Sequence, residues 1–500
     1  MKKFLWKCMG IVMAAAFIAG CADAKPTEST KPQTSSMETM EENIQTEQTE
    51  MEIPSVYESF GIKEHDIEIF RTEVSKNVEL PIINVITGGE EILSREEYVS
   101  CAVDVFNCEE SQMIEGALAG IRVRGNSSAY YGDVDQIRKN TVPYRIKFDS
   151  KTNLLGMNDG AECKSWVLLK SDGDLIRNDI AFRFGRTIIG DNAYCSDARF
   201  VHLYVNNEFQ GVYLLCEQCQ INKNRVDITE PEEGYTGTDI GYYFELDNYT
   251  WAEPDNPFIR MDYGGYAVTD IEGETREFVP AEYSIKNDVY TQEQIDFADK
   301  YLNNVFEIVY RACEKGEYLT FDENYDLVES GFDNAEDTVR AVMDVQSVVD
   351  MYLLYEIVHD YDCGEGSFYM CVDFAKDSTC PKLQFTSPWD FNWAYDGSTD
   401  RYWAAAFCEQ SFADEFGDRS NPWFIVLMKQ DWFAELAEQK WTQLQSEGKI
   451  DACIEEEIRL LEAYKDDLNK ERESAVDSAY WVLEWIENRI DWMDETFLKK

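Results

Sequence analysis

The sequence predicts an α+β protein, with a first half made mainly of strands and a second half made mainly of helices. Apolar residues alternate with period two from about 80 to 245, and beyond about 290 they recur at three-to-four spacing. The 500 residues include 12 Trp, 28 Tyr and 27 Phe, ample for a sizeable core. With 44% hydrophobic residues the chain is globular in composition rather than disordered or fibrous. Asp and Glu total 97 against 45 Lys and Arg, a formal charge of −52. Such a surface has little with which to displace counterions from phosphates, so sequence-independent binding to DNA or RNA is excluded, and an anionic membrane surface would repel the chain. The three histidines are His65, His202 and His359. Multi-histidine metal centres therefore lack ligands, and acid–base chemistry falls to carboxylates.

At the N-terminus, Lys2, Lys3 and Lys7 precede an apolar run from Met9 to Gly20 that is shorter than the ~20 residues a membrane span needs. This reads as a secretion signal. Its end, Phe17-Ile18-Ala19-Gly20-Cys21, resembles the lipobox of bacterial lipoproteins, in which cleavage precedes a cysteine that is then acylated. Residues 1–20 are expected to be a signal peptide and Cys21 the lipidation site. The protein would then sit on the extracytoplasmic face of the cell membrane, held through its lipid anchor only. Residues 21–52 are rich in Thr, Ser, Glu, Gln and Met and hold no aromatic residue, so they are expected to be a disordered tether. Beyond Cys8 and Cys21 twelve cysteines remain, an even number that permits disulfides in an exported chain without revealing their pairing. The CxxC pair Cys216 and Cys219 has no second pair or neighbouring histidine and reads as part of a buried strand.

The folded part divides into a β-rich N-terminal lobe, 53–285, and a helical C-terminal lobe, 286–500. Strand signals are Ile82 to Ile86, Ile121 and Val123 alternating with Arg122 and Arg124, and Tyr144 to Phe148. Arg199 to Val205 and Phe209 to Leu215 flank Asn206-Asn207, residues that tolerate the positive φ of a tight hairpin turn. Between these strands, Ile176, Ile180 and Phe184 at spacing four predict one helix over 175–186. In the second half, Thr291 and Gln294 form a capping box ahead of the stripe Ile295, Ala298, Leu302, Val305, Phe306 and Val309. Further helices are predicted over 342–358, around Phe433 to Leu444 and around Val482 to Phe497.

Two groups of residues could carry chemistry. From Arg122 to Lys151 seven basic residues face three acids, a local surplus of +4 in an acidic chain. Arg124-Gly125-Asn126-Ser127-Ser128 adds a glycine and small hydroxyl residues that let backbone N–H groups approach phosphate oxygens. Arg145 and Lys147 fall on one face of a strand, within reach of a polyphosphate. The bland alternative is a solvated basic face. The second group is His359-Asp360-Tyr361-Asp362, then Ser367, then Pro388-Trp389-Asp390-Phe391-Asn392. A phosphoryl transferase needs one carboxylate to orient the attacking hydroxyl and another, with an oxygen-bearing neighbour, to hold Mg²⁺. His359 and His202 read as packed residues.

Ile121 to Ser128 (IRVRGNSS), Tyr144 to Met157 (YRIKFDSKTNLLGM), Lys164 to Leu169 (KSWVLL), Ile176-Arg177-Asn178, Arg199 to Asp227 and the WDFN segment together resemble the spore coat protein H (CotH) kinase family, in order over roughly 80 to 400. The resemblance implies an atypical, bilobal protein-kinase-like fold. It also implies transfer of the γ-phosphate of ATP, with Mg²⁺ or Mn²⁺, to Ser or Thr of an exported or cell-surface protein. It implies Arg124, Asn126 and Ser127 near the phosphates, Lys147 with Arg145 on ATP, and Glu217 near the hinge. Asp362 becomes the catalytic base, and Asp390 with Asn392 and Ser367 the metal ligands. This chain has Asp360 and Ser367 where the family often has Asn, and Asn392 where it usually has a second Asp. The two neutral oxygen donors weaken a metal site, while Asp360 adds charge. The main rival is a catalytically weak surface-binding protein with the same fold. A carboxylate-pair glycosidase leaves the basic strands unexplained.

Overall fold

The computed structural model describes residues 55–500 apart from 126–128, 130–141, 171–175, 248–249, 251–255, 361, 407–419, 471 and 499–500. The expected signal peptide, Cys21, the tether, Asn126 and Ser127 all lie outside the described residues.

Seven strands, β1 (Ile82–Ile86), β2 (Val99–Phe106), β3 (Ile114–Val123), β4 (Tyr144–Thr152), β5 (Cys163–Leu169), β6 (Ala198–Val205) and β7 (Glu208–Glu217), close into a barrel in the order β1-β2-β3-β4-β5-β7-β6. All neighbours are antiparallel except the closing pair, β1 beside β6, where Ile82 lies opposite His202 and Val85 opposite Val205. Ile121, Val123, Ile146, Phe148, Trp166, Leu168, Tyr213 and Leu215 share one core inside the barrel. The residues between them face outward. Val167, Leu214 and Cys216 belong to a second, larger core, which they share with the helix Ile176–Ile189. The period-two alternation thus assigns β5 and β7 to two cores at once, while β3 and β4 turn their other face outward.

The β6–β7 hairpin turns at Asn206 (φ 50°) and Asn207 (φ 68°), the left-handed pair the sequence led us to expect.

The second sheet contains β8 (Gly241–Leu246), β9 (Phe258–Met261), β12 (Ala281–Ile285), β15 (Phe368–Asp373) and β16 (Gln384–Thr386), while β10 (Ala267–Thr269) pairs with β11 (Thr275–Glu277) and β13 (Leu319–Phe321) with β14 (Leu327–Glu329). Its order is β16-β15-β8-β12-β9. Here the sequence expectation needs amending: β15 and β16 come from the half read as helical, yet they complete a sheet begun before residue 285. β15 is buried along its whole length, and a short apolar run of that kind carries no period to distinguish strand from helix.

The helix Gln292–Tyr310 opens with the expected Thr291–Gln294 capping box. The helix expected over 342–358 forms as Val345–Val358, starting three residues later than expected behind a separate short helix. Ala335–Val342 ends at Met343, and Asp344 caps a new helix, Val345–Val358, by accepting from Ser347 N at 3.2 Å. The long stripes fold as expected into Asp431–Ser446 and Ala475–Phe497. All eleven described cysteines are free thiols, Cys216 and Cys219 included. Among the described residues no helix is long and apolar enough to cross a membrane.

Candidate active site

The two strands β15 and β16 bring the carboxylates together: β15 follows the loop that leaves the helix Val345–Val358, β16 pairs with it and leads on to Asp390, and Asp360 feels the charge of Asp390. His359 (φ 53°) turns the chain out of that helix, and its ring packs against Trp403 at 3.8 Å between centroids. In the loop that follows, Asp360 Oδ1 accepts from Asp362 N at 3.2 Å, and Asp362 O accepts from Glu365 N and Gly366 N at 2.8 and 2.9 Å. These bonds fold the loop so that Ser367, at φ 51°, leads directly into β15. A Cβ on Gly366 would sit 3.6 Å from Asp362 Oδ2, so its absence leaves that carboxylate uncovered on one side.

β16 continues through Pro388 and Trp389 to Asp390, which is left-handed (φ 63°) and precedes the single turn Phe391–Trp393. Non-glycine residues in this conformation need support from their surroundings. Asn178, on the first turn of the helix Ile176–Ile189, supplies it. Its Oδ1 accepts from Phe391 N at 2.9 Å and its Nδ2 donates to Asn392 Oδ1 at 2.9 Å, while Asn392 Nδ2 donates to Asp390 Oδ1 at 2.7 Å. Arg177 donates to Ala394 O on the far side of the turn.

Asp360 and Asp390 are both held above the ordinary carboxylate range. For Asp360 burial is the main cause, with the charges of Asp362 and Asp390 adding to it and Arg177 opposing. For Asp390 burial again leads, Arg124 opposes, and Glu245 on β8 adds to the rise.

The basic residues stand opposite. Arg122 on β3 pairs in register with Arg145 on β4, and because Tyr144, Ile146 and Phe148 fill the barrel, Arg145 and Lys147 point outward. Arg145 Nη2 donates to Ser165 Oγ at 3.2 Å, and Lys147 is solvent-exposed. Burial pushes the Arg145 guanidinium below its usual value, and Arg122, Arg124 and Arg225 push it further. Among the described residues the buried atoms Arg122 Nε, Arg145 Nε and Arg225 Nη2 have no hydrogen-bond partner. Arg124 lies 5.4 Å from the centre of the Trp389 ring, which links this cationic wall to the Asp390 turn.

Glu217, at the end of β7, is fully buried and takes three donors: Arg225 Nε at 3.2 Å, Asn158 Nδ2 at 3.3 Å and Asp197 N at 3.2 Å. It anchors Arg225 within the arginine group and is not brought up to the carboxylates. Asn392 has both ends of its amide engaged. Among the described residues no three His, Cys, Asp or Glu side chains are grouped closely enough to hold a metal ion by themselves.

Sequence reasoning gave no role to Asn178, Arg177, Arg225 or Glu245. The first three lie inside segments that carried the family resemblance, which was the only signal available for them. Glu245 lies on an ordinary strand and had none.

The family model described as CotH kinase protein matches residues 121–493, from β3 to the last helix, and so spans Arg124, Arg145, Lys147, Asp362 and Asp390. Comparison with curated proteins finds no match. A match over nearly three quarters of the chain, taking in both the cationic wall and the carboxylate turns, makes this chain a member of the CotH kinase family.

Proposed function

We propose that this protein is an extracytoplasmic, ATP-dependent protein kinase, lipid-anchored through Cys21, that transfers the γ-phosphate to Ser or Thr of exported or cell-surface proteins. One observation carries the reading: Arg124, from a group of arginines with orphaned N–H bonds, interacts with both Trp389 and Asp390. A polyphosphate bridged by a cation would satisfy both sides of such a seam. In this reading the barrel is the nucleotide-binding lobe of a bilobal, kinase-like fold.

The donor set suits a divalent cation. The charges of Asp362 and Asp390 add to the cost of ionising buried Asp360, and a cation beside them relieves that cost. Asp390 would hold Mg²⁺ or Mn²⁺, with Ser367 and the second lone pair of Asn392 Oδ1 as neutral oxygen donors. When bound, the metal neutralises charge on the β- and γ-phosphates. Arg124, Arg145 and Lys147 would orient the phosphates. Asp362, half-buried in a loop of mostly buried residues, would accept the proton of the acceptor hydroxyl. Asn178 and Asn392 would keep the Asp390 carboxylate aimed.

The neutral Asn392 and Ser367 favour a second reading, a weakly catalytic protein that grips a surface partner with the same fold. The separating experiment is incubation with labelled ATP, each divalent metal in turn, and Ser-rich exported proteins. Metal-dependent label on a protein acceptor supports the kinase; nucleotide binding without turnover supports the alternative.

A further inference from the structure

The hairpin that carries the proposed catalytic carboxylates at its open end holds two thiols at its closed end. Cys371 on β15 and Cys380 in the connection to β16 place their Sγ atoms 3.8 Å apart, van der Waals contact between two sulfurs. Among the described cysteines this is the one thiol–thiol contact recorded. Backbone already draws the two segments together, since Asp373 N donates to Cys380 O at 2.7 Å, and Cys371 lies in register with Gln384. Both thiols also lie near Gln384 Oε1, at 3.7 and 3.9 Å. The sulfurs need to close to about 2.05 Å, a movement that side-chain rotation and a small loop shift can supply.

We propose that Cys371 and Cys380 form a disulfide that staples the β15–β16 connection. The oxidant is an external disulfide, of the kind an exported chain meets. Cys380 is the more exposed thiol, at 8% against 1% for Cys371. Its thiolate attacks one sulfur of the external disulfide and expels the first thiolate. Cys371 then gives up its proton, its sulfur attacks Cys380 Sγ, and the second external thiolate leaves. The two protein thiols are oxidised, one external disulfide is reduced to two thiols, and the two protons released are taken up by the leaving thiolates. The hydrogen bond with Cys380 and burial push the Cys371 thiol well above its usual range, which suits it to the second, intramolecular step. The staple does not depend on the kinase reading, and it would fix the strand ends that aim Asp362 and Asp390.

The test equilibrates the full chain with oxidised and reduced glutathione, then denatures it in N-ethylmaleimide without reductant and maps tryptic peptides by mass spectrometry. Lys376 lies between the two cysteines, so trypsin separates them and only a disulfide keeps their peptides joined. Cys363 shares the tryptic peptide of Cys371, and a second digestion with chymotrypsin, which cuts after Phe368 and Tyr369, separates those two and shows which one is joined to Cys380. The expected result is one joined species, lighter by two hydrogens than the sum of its peptides and split by reductant. In Cys380→Ser, Cys371 should carry the maleimide. The proposal is overturned if both cysteines of the wild-type chain are alkylated, or if either is joined to a different cysteine.

Discussion

Asn178 and Asn392 lie 214 positions apart in sequence and share a 2.9 Å amide hydrogen bond that fixes the turn carrying Asp390. Through the amide of Asn392, which donates to Asp390 Oδ1, the helix Ile176–Ile189 controls the direction of the carboxylate proposed to hold the metal. An aspartate at position 392 could not donate in this way. The neutral residue that weakens the ligand set therefore acts here as a bracket for its charged neighbour.

Replacing the bracket should separate positioning from folding. Asn178→Ala leaves the buried Phe391 N–H without its acceptor, at a cost of about 1–3 kcal/mol in stability. It also frees the Asp390 turn, so metal-dependent transfer should fall by roughly 10- to 100-fold with a raised requirement for Mn²⁺. Asn178→Asp keeps the acceptor for Phe391 but sets a carboxylate oxygen against Asn392 Oδ1 and buries a charge. Relative to Asn178→Ala it should recover some of the thermal stability, by no more than the Phe391 bond is worth, and none of the transfer. Thermal melts beside metal titrations of activity read both effects, and equal loss of both in the two variants would show a purely structural residue.

How much of this was legible in the sequence depends on the range of each interaction. The Asn206-Asn207 turn and the Thr291–Gln294 cap are settled within a few residues, and both form as read. The barrel closure is not local. Ile82 meets His202 across 120 positions, and nothing in either strand specifies the partner. β15 was read as part of a helical half because a run of buried residues has no solvent face to set its period. In the site, Asp362, Asp390 and the basic strands stood out by residue type. Arg225 did not, because its importance comes from its placement, anchored by Glu217 and beside Arg145.

The arginine group should bind polyphosphate unequally. Burial and the charges of Arg122, Arg124 and Arg225 disfavour the charged form of Arg145, so an anion brings relief there, while Lys147 is exposed and contributes mainly long-range attraction. Arg145→Ala should weaken ATP binding by about tenfold or more, and Lys147→Ala by less, with the Lys147 effect fading as salt rises. Calorimetric titration at two ionic strengths checks this. Unchanged affinity in both variants would return these residues to a solvated basic face.

Two buried histidines should make the fold acid-sensitive. Burial holds His202 down to about 4 and His359 down to about 3, from an ordinary 6.5. Both are neutral in the folded chain. The unfolded chain takes up their protons once the pH falls below 6.5, so their contribution to stability is complete above that value. It is lost progressively as the pH drops toward the folded values. By pH 5 each should have removed about 2 kcal/mol. His359→Phe keeps a ring against Trp403 and removes the titration. Denaturant melts at pH 7 and pH 5 should therefore show a smaller acid loss in the variant, and an equal loss would rule out this histidine as a source.

The proposed lipid anchor is tested at Cys21. Cys21→Ser removes the only thiol that acylation of the lipobox-like segment could use, and the protein should leave the membrane fraction. Because the chain carries −52 formal charges, residual electrostatic adhesion to an anionic bilayer is not expected. A variant that stays with membranes after a salt wash would show that something other than the lipid holds it there.

The proposed base and the proposed metal ligand should fail in different ways when removed, which gives the sharpest test of the kinase reading. Asp362→Asn keeps the side chain's shape and the loop bonds, which run through the backbone N and O of residue 362. It cannot take the acceptor's proton, so transfer should drop by roughly 10² to 10⁴-fold while nucleotide binding survives. Asp390→Ala removes the charge that Asn392 aims and that Arg124 faces, so metal-dependent nucleotide binding and transfer should fall together. It also leaves the cationic wall uncompensated on that side, so metal-free ATP binding should hold steady or tighten in the same variant. Calorimetry with and without Mn²⁺, run beside a transfer assay, reads all of these outcomes. Wild-type transfer in both variants would mean that neither aspartate takes part in catalysis and that transfer runs through other residues, whereas no transfer even from the wild-type chain would leave the surface-binding reading standing.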